Sequence, residues 1–164
     1  MAMPLVSIVM GSSNDWEIMQ QTARALQDFG VTFDARVISA HRSPDLLFDH
    51  IKEMSAQGVQ CFIAGAGGAA HLAGVIAGKT ALPVLGVPIP SKYLKGMDSL
   101  LSFVQMPKGI PVATFAIGEA GAANAGLFAV SMLALNDKAL AQKLADYRKK
   151  QAEQIAATAS PTLS

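Results

Sequence analysis

Leu5-Val6-Ser7-Ile8-Val9-Met10-Gly11-Ser12-Ser13-Asn14-Asp15-Trp16-Glu17-Ile18-Met19 is the stretch that decides the fold. Leu5–Met10 is apolar at almost every position, as a strand is when helices cover both faces of its sheet. Gly11 closes the run and a hydroxyl- and amide-rich turn follows. Trp16, Met19, Ala23 and Leu26 then recur at spacings of three and four, which is the period of a helix with one core-facing stripe. Strand, tight turn and amphipathic helix in that order make the first half of a βαβ unit, the crossover that parallel strands require.

The same alternation continues outward. Phe33–Ile38, Gln60–Ala64, Val84–Val87 and Val112–Ile117 read as further strands, and Leu47, Ile51 and Met54 mark a second packing helix. Asn14 or Asp15 is placed to cap the first helix. Ser43-Pro44 puts a capping hydroxyl ahead of a proline at the first helical position of the second. The pattern predicts an α/β fold: a single-domain three-layer sandwich with a five-stranded parallel sheet, flavodoxin-like, plus a C-terminal helix. That helix is read from Asp137 to about Ile155, with Leu140, Leu144 and Tyr147 on its apolar side. One catalytic domain over residues 1–155 and a disordered tail over 156–164 are expected; no internal repeat or Gly/Ser/Pro-rich linker divides the chain.

Composition narrows the function. Lys and Arg number 13 against 12 Asp and Glu, so the chain lacks the positive field that nucleic-acid binding requires. Charged residues make up only 15% and apolar ones 51%, which leaves more apolar surface than a monomer of this size comfortably exposes. A homo-oligomer is the expected solution. Glu119 to Asn136, helical in pattern and apolar or small nearly all round, is the candidate interface. The uncharged run Ala120–Leu135 is too short for a bilayer span of about 20 residues, so no membrane partner is expected. Nothing before Leu5 reads as a targeting segment and the single cysteine, Cys61, lies in an apolar run, so a cytoplasmic location is expected.

In doubly wound sheets, ligands bind beyond the carboxyl ends of the strands where strand order reverses. The loops to inspect are Gly11-Ser12-Ser13-Asn14-Asp15, Ser39-Ala40-His41-Arg42-Ser43-Pro44 and Gly65-Ala66-Gly67-Gly68-Ala69-Ala70-His71. The first joins a strand to a helix start that can receive an anion, and Asp15 can accept from ribose hydroxyls, although an ordinary capped turn uses the same residues. The third has glycines that let a ligand approach the main chain, but its spacing is not that of a dinucleotide fingerprint. The second sets His41, a proton carrier, beside Arg42, whose guanidinium can grip a phosphate with two N–H donors. His50 reads as a helix-face residue. His41, His50, His71 and Cys61 match no metal-ligand spacing, so no metal is expected. Ser39 lacks the Gly-x-Ser-x-Gly elbow of a hydrolase nucleophile and is read as a phosphate or backbone binder.

Taken together, Val9-Met10-Gly11-Ser12-Ser13-Asn14-Asp15, Ser39-Ala40-His41-Arg42-Ser43-Pro44, Ala64-Gly65-Ala66-Gly67-Gly68-Ala69-Ala70-His71-Leu72 and Gln105-Met106-Pro107-Lys108-Gly109-Ile110-Pro111-Val112 closely resemble the N5-carboxyaminoimidazole ribonucleotide mutase family (class I, PurE) of purine biosynthesis. The resemblance covers about residues 5 to 150. It implies an isomerase that moves a carboxylate from the exocyclic amine of an imidazole ribonucleotide to ring carbon 4, with no cofactor and no metal. By the same resemblance His41 is the acid/base residue, Arg42 takes the phosphate, Ser12 and Asp15 bind substrate, and Ser39, Ala66, Gly67 and His71 complete the pocket. It also implies a homo-octamer with pockets at subunit junctions, where Lys108 and the Pro107–Pro111 loop are candidates to reach a neighbour's substrate. Two readings compete. A class II aminoimidazole ribonucleotide carboxylase, which uses free carbon dioxide, carries Lys-Gly in the second loop where this chain has Arg42-Ser43. A flavodoxin-like nucleotide-binding module shares the fold, and a response-regulator receiver would need acidic residues where Gly11-Ser12 and Gly65-Ala66 stand.

Overall fold

The computed structural model describes residues 3–158. Its strands are β1 (Val6–Met10), β2 (Phe33–Val37), β3 (Cys61–Gly67), β4 (Val84–Ile89) and β5 (Ala113–Thr114). Its helices are α1 (Trp16–Phe29), α2 (Pro44–Ala56), α3 (Leu72–Ala77), α4 (Met97–Val104), α5 (Glu119–Leu133) and α6 (Lys138–Ala157). The sheet is parallel throughout, in the order β2-β1-β3-β4-β5. This is the flavodoxin-like α/β sandwich that the alternating pattern predicts, and it puts the reversal of strand order between β1 and β3.

The central strands are buried on both faces because helices cover both. On one side Ile8, Ile63, Leu85 and Val87 meet α1, α5 and α6 through Met19, Leu26, Ala122, Ala125, Ala129 and Leu140. On the other, Val9, Phe62 and Ala64 meet α2, α3 and α4 through Leu47, Ile51, Ile76 and Phe103. Side-chain size sets how closely the layers approach. A Cβ on Gly65 would collide with the thioether of Met19, and one on Gly126 would lie 2.9 Å from Thr22 O, so these glycines let α1 settle on β3 and α5 on α1. Thr22, fully buried, donates its hydroxyl to Ala122 O at 2.7 Å and ties the same two helices together.

Several expectations are corrected. β3 and β4 run on past Ala64 and Val87 to Gly67 and Ile89, so Ala66 and Gly67 belong to a strand end and not to a loop. The expected strand Val112–Ile117 shrinks to a two-residue β5. Beyond it the chain still follows β4, with Phe115 N–H on Gly86 O at 2.9 Å and Gly118 N–H on Pro88 O at 3.0 Å, but without regular register. β2, at the sheet edge, is only partly covered. α5 is covered on one face alone, through Gly121, Ala122, Ala125, Gly126, Ala129 and Val130, and turns Phe128 outward, so it is not enclosed on most sides within a protomer.

His50 is no surface residue of its helix: it is buried on the inner side of α2, its Nε2 2.9 Å from the Oγ of fully buried Ser7 on β1. α6 extends through Ala156 and Ala157, which the reading assigned to a disordered tail; residues 159–164 of that tail lie outside the described residues. No helix among the described residues is long and apolar enough to cross a membrane.

Candidate active site

The three inspected loops meet in one cavity of about 420 Å³ at the carboxyl ends of β1, β2, β3 and β4. Ser12, Asp15, Ser39, His41, Arg42, Ala66, Gly67 and His71 all line it, so the residues singled out in the three loops are gathered at one place. The expected geometry of the first turn changes. Asp15 does hold the N-cap position of α1 but makes no side-chain capping bond there; the capping side chain is Ser12, at the start of a single 3-10 turn, Ser13–Asp15, that leads into α1. Its Oγ accepts Asn14 N–H at 3.4 Å while Asp15 Oδ2 accepts Ser12 N–H at 3.0 Å, a reciprocal capping box. The Ser12, Asn14 and Asp15 amides are thus engaged inside the turn. Burial raises the Asp15 carboxyl above the ordinary range, and this outweighs the Ser12 and Gly11 N–H groups and the Arg42 charge, which favour the ionised form.

Arg42 is anchored by part of its fork. Nε donates to Ser39 Oγ at 3.3 Å and Nη2 to Gly11 O at 2.8 Å, which leaves Nη1 without a partner among the described residues. A guanidinium held on one edge and open on the other is preorganised for an oxyanion. Ser39 therefore orients Arg42 and also accepts Arg42 N–H at 3.2 Å. Ser43 does not cap α2 with its side chain; its Oγ turns back to Ser39 O at 3.1 Å and tightens the loop, while Pro44 starts the helix.

Across the cavity the two exposed histidines form a pair. His41 Nε2 and His71 Nδ1 lie 2.8 Å apart, with the rings edge to face at 87°. One nitrogen must donate and the other accept, so the pair shares a proton at the cavity edge. Ala66, Gly67 and Gly68 form the adjacent wall, where the main chain is accessible because the side chains are small or absent. Lys108 does not line this cavity. The neighbouring Gly109, Ile110 and Pro111 lie with Ala77 to Val84 near the opposite end of the sheet, where β4 and β5 begin.

The cavity also contains Asn14, read from the sequence only as a cap, and Ile89, Pro90 and Ser91, which the sequence reading missed. Ending the fourth strand at Val87 left Pro88-Ile89-Pro90-Ser91 unread. The proline punctuation there, with the rule that every parallel strand delivers its carboxyl-end loop to the same rim, was the available signal.

Fold and cavity together define the class: a doubly wound α/β protein with a switch-point pocket that combines an arginine anchored along one edge with a hydrogen-bonded histidine pair. The AIR carboxylase family model matches residues 5–154. The N5-carboxyaminoimidazole ribonucleotide mutase of Brucella melitensis is 57% identical, covering 92% of this chain and 93% of its own length. The mutase of Escherichia coli K12 is 53% identical over 95% of this chain and 92% of its own. A crystal structure of Treponema denticola PurE superposes with a TM-score of 0.86 at 31% identity, covering 94% of this chain and 96% of that one. The chain belongs to the AIR carboxylase family.

Proposed function

We propose that this chain converts N5-carboxyaminoimidazole ribonucleotide to 4-carboxy-5-aminoimidazole ribonucleotide in purine biosynthesis, as a mutase. The observation that carries the reading is the opposition, within one cavity, of the half-free Arg42 guanidinium and the His41–His71 pair beside a wall of Ala66, Gly67 and Gly68. Arg42 holds the phosphate, and Ser12 and Asp15 meet the ribotide near it. His41 delivers a proton to the exocyclic nitrogen, and the N–C bond of the carbamate breaks to release carbon dioxide. Ring carbon 4 then forms a bond to that carbon dioxide, and the proton on carbon 4 leaves to the imidazole. Atoms and charge balance with no cofactor. Enclosure by small residues makes recapture effectively intramolecular.

The Arg42-Ser43 pair supports this reading over direct use of free carbon dioxide. Turnover of carboxyl-labelled substrate in unlabelled bicarbonate tests it. The product should retain most of the label, and full equilibration with bicarbonate in each turnover would favour the class II carboxylase.

The active form is a cytoplasmic homo-octamer. Phe128 is 46% exposed and Leu135 83%, in a chain with 15% charged residues, and Phe115 packs edge-on to Phe128 along the uncovered side of α5. Pockets lie at subunit junctions, where Lys108 serves a neighbour's substrate. Light scattering should give about eight protomers. Phe128→Asp should dissociate them, because an unpaired buried charge costs several kcal/mol; a wild-type monomer at micromolar concentration would refute the assembly.

A further inference from the structure

The ladder between β3 and β4 is missing its last direct rung, and a side chain stands in its place. Phe62 N–H bonds to Pro83 O at 3.0 Å, and the register from Phe62↔Val84 to Gly67↔Ile89 repeats that bond every two residues. The rung after β3 ends would join Gly68 N–H to Ile89 O. Instead Ser99, fully buried in the first turn of α4, occupies the gap: its Oγ accepts Gly68 N–H at 3.0 Å and donates to Ile89 O at 2.7 Å. One O–H proton and one lone pair meet those two demands.

This bridge sets the plane of the Gly67–Gly68 peptide. In a trans peptide the carbonyl points opposite to the N–H, so Gly68 N–H directed at Ser99 turns Gly67 C=O away from β4, toward the β1 side. Gly65 O, the preceding carbonyl on that side, accepts Gly11 N–H at 3.2 Å. The β1–β3 pairing stops at Met10↔Gly65, and the first loop then turns off into its capping box, so no ladder bond takes the Gly67 carbonyl. Gly67 lines the cavity and is exposed; Ser99 sits behind the wall and does not line it. Gly68, at φ +70, adopts the left-handed backbone that this turn needs.

The first turn of α4 steadies the next loop too. Asp98 Oδ1 accepts the Ser91 hydroxyl at 2.6 Å and Ser99 N–H at 3.0 Å. Gly96 N–H donates to Ser91 Oγ at 3.2 Å.

We infer that Ser99 is a positioning residue for the reaction, aiming the Gly67 carbonyl into the cavity as the acceptor for the exocyclic N–H of the substrate. This rests on the mutase reading. On the imidazole part of that substrate the exocyclic nitrogen is the only N–H donor, since one ring nitrogen carries the ribose and the other is an acceptor. As that nitrogen gains a proton and loses its carboxyl group, an oriented carbonyl binds it more strongly, which is stabilisation along the reaction and not of the ground state alone.

The test compares wild type with Ser99→Ala, and with the isosteric pair Ser99→Thr and Ser99→Val, which differ in the hydroxyl at matched shape. Ser99→Ala should lower kcat about tenfold to a hundredfold, as misplacement of a reacting group by about 1 Å can, with KM changed less than about threefold. It should also release more of the carboxyl label to bicarbonate. The Gly68 amide should exchange slowly with deuterium in the unliganded wild type and faster in Ser99→Ala and Ser99→Val. Ser99→Thr should exceed Ser99→Val in kcat, and that comparison decides should Ser99→Ala fail to fold. Normal kcat and label retention in Ser99→Ala, or equal kcat in the Thr and Val variants, would overturn the inference. A wild type that scrambles its own label overturns the mutase reading instead, and the Gly68 exchange measurement still reports whether the serine holds the peptide.

Discussion

Two histidine sites in this protein lie on either side of the same βα unit and use the imidazole in opposite ways. At the rim, His41 is exposed and meets only another imidazole, His71, at 2.8 Å. In the interior between β1 and α2, His50 is buried and its Nε2 meets the Ser7 hydroxyl at 2.9 Å. Burial favours the neutral form of His50 and lowers its pKa, an effect larger than the opposing influence of Asp34. The rim pair is open to a ligand at the cavity; the buried pair offers a ligand no access. Residue type alone therefore says little about role. What the second ring nitrogen faces, water and substrate or packed side chains, decides it.

The sharpest break in that comparison comes from His41→Asn. Asparagine fills similar space but neither takes up nor releases a proton as an acid or base near neutrality, so turnover should fall about 10²- to 10⁴-fold while substrate still binds. Calorimetric binding alongside single-turnover kinetics separates the two effects. Near-normal turnover with lost affinity would make His41 a binding residue and pass the acid/base role to His71.

Next in size is Arg42→Ala. Loss of a charge-assisted contact of about 1.5–3 kcal/mol should weaken substrate affinity about tenfold to a hundredfold, with a smaller effect on the chemical step. Inorganic phosphate, tried as a competitor, should lose its inhibition in the variant; undiminished inhibition would place the phosphate elsewhere.

On the buried side, Ser7→Ala leaves the His50 Nε2 without its partner and should cost about 1–3 kcal/mol of stability in urea unfolding, with kcat unchanged. A loss of activity at full stability would mean that the two sites are coupled.

The smallest effect expected is a pH slope. His50 in the fold has a lowered pKa, so above about pH 6.5 it is neutral in both folded and unfolded chains and adds nothing to the slope. As the pH falls below about 6.5, the unfolded chain takes up the proton first, and stability declines until the lowered folded pKa is passed. His50→Gln should flatten that part of the stability–pH curve. An unchanged slope would locate the acid sensitivity in another group.

The fold was legible because buried parallel strands and amphipathic helices have different periods, and Leu5–Met10 against Trp16–Leu26 shows both within one unit. The eight candidate site residues were legible because three strand-end loops carried Gly, His and Arg where a doubly wound sheet delivers its ligand. Illegible features depended on which partner a side chain turns to, near or distant in sequence. Ser7, Ser12, Ser43 and Ser99 are identical letters, yet one buffers a buried histidine, one caps a turn, one tightens a loop and one replaces a ladder rung. Ser99 and Gly68 are separated by 31 positions, and no local pattern joins them. The shortened β5 has a similar origin: its apolar run suits a strand, but beyond Thr114 the chain bonds to β4 only at irregular intervals.

The bond from Thr22 to Ala122 spans 100 positions, and it joins two of the three helices that cover one face of the sheet. At about 5–20 residues per second of synthesis, roughly 5–20 s pass between the emergence of its two ends. During that interval Met19, Leu26 and Ile63 lack the cover that Ala122, Ala125 and Ala129 later supply. The nascent chain therefore carries a sticky half-built face through most of its translation, and closure of that face by α5 is the step that should govern how much of the protein escapes aggregation when expression is fast.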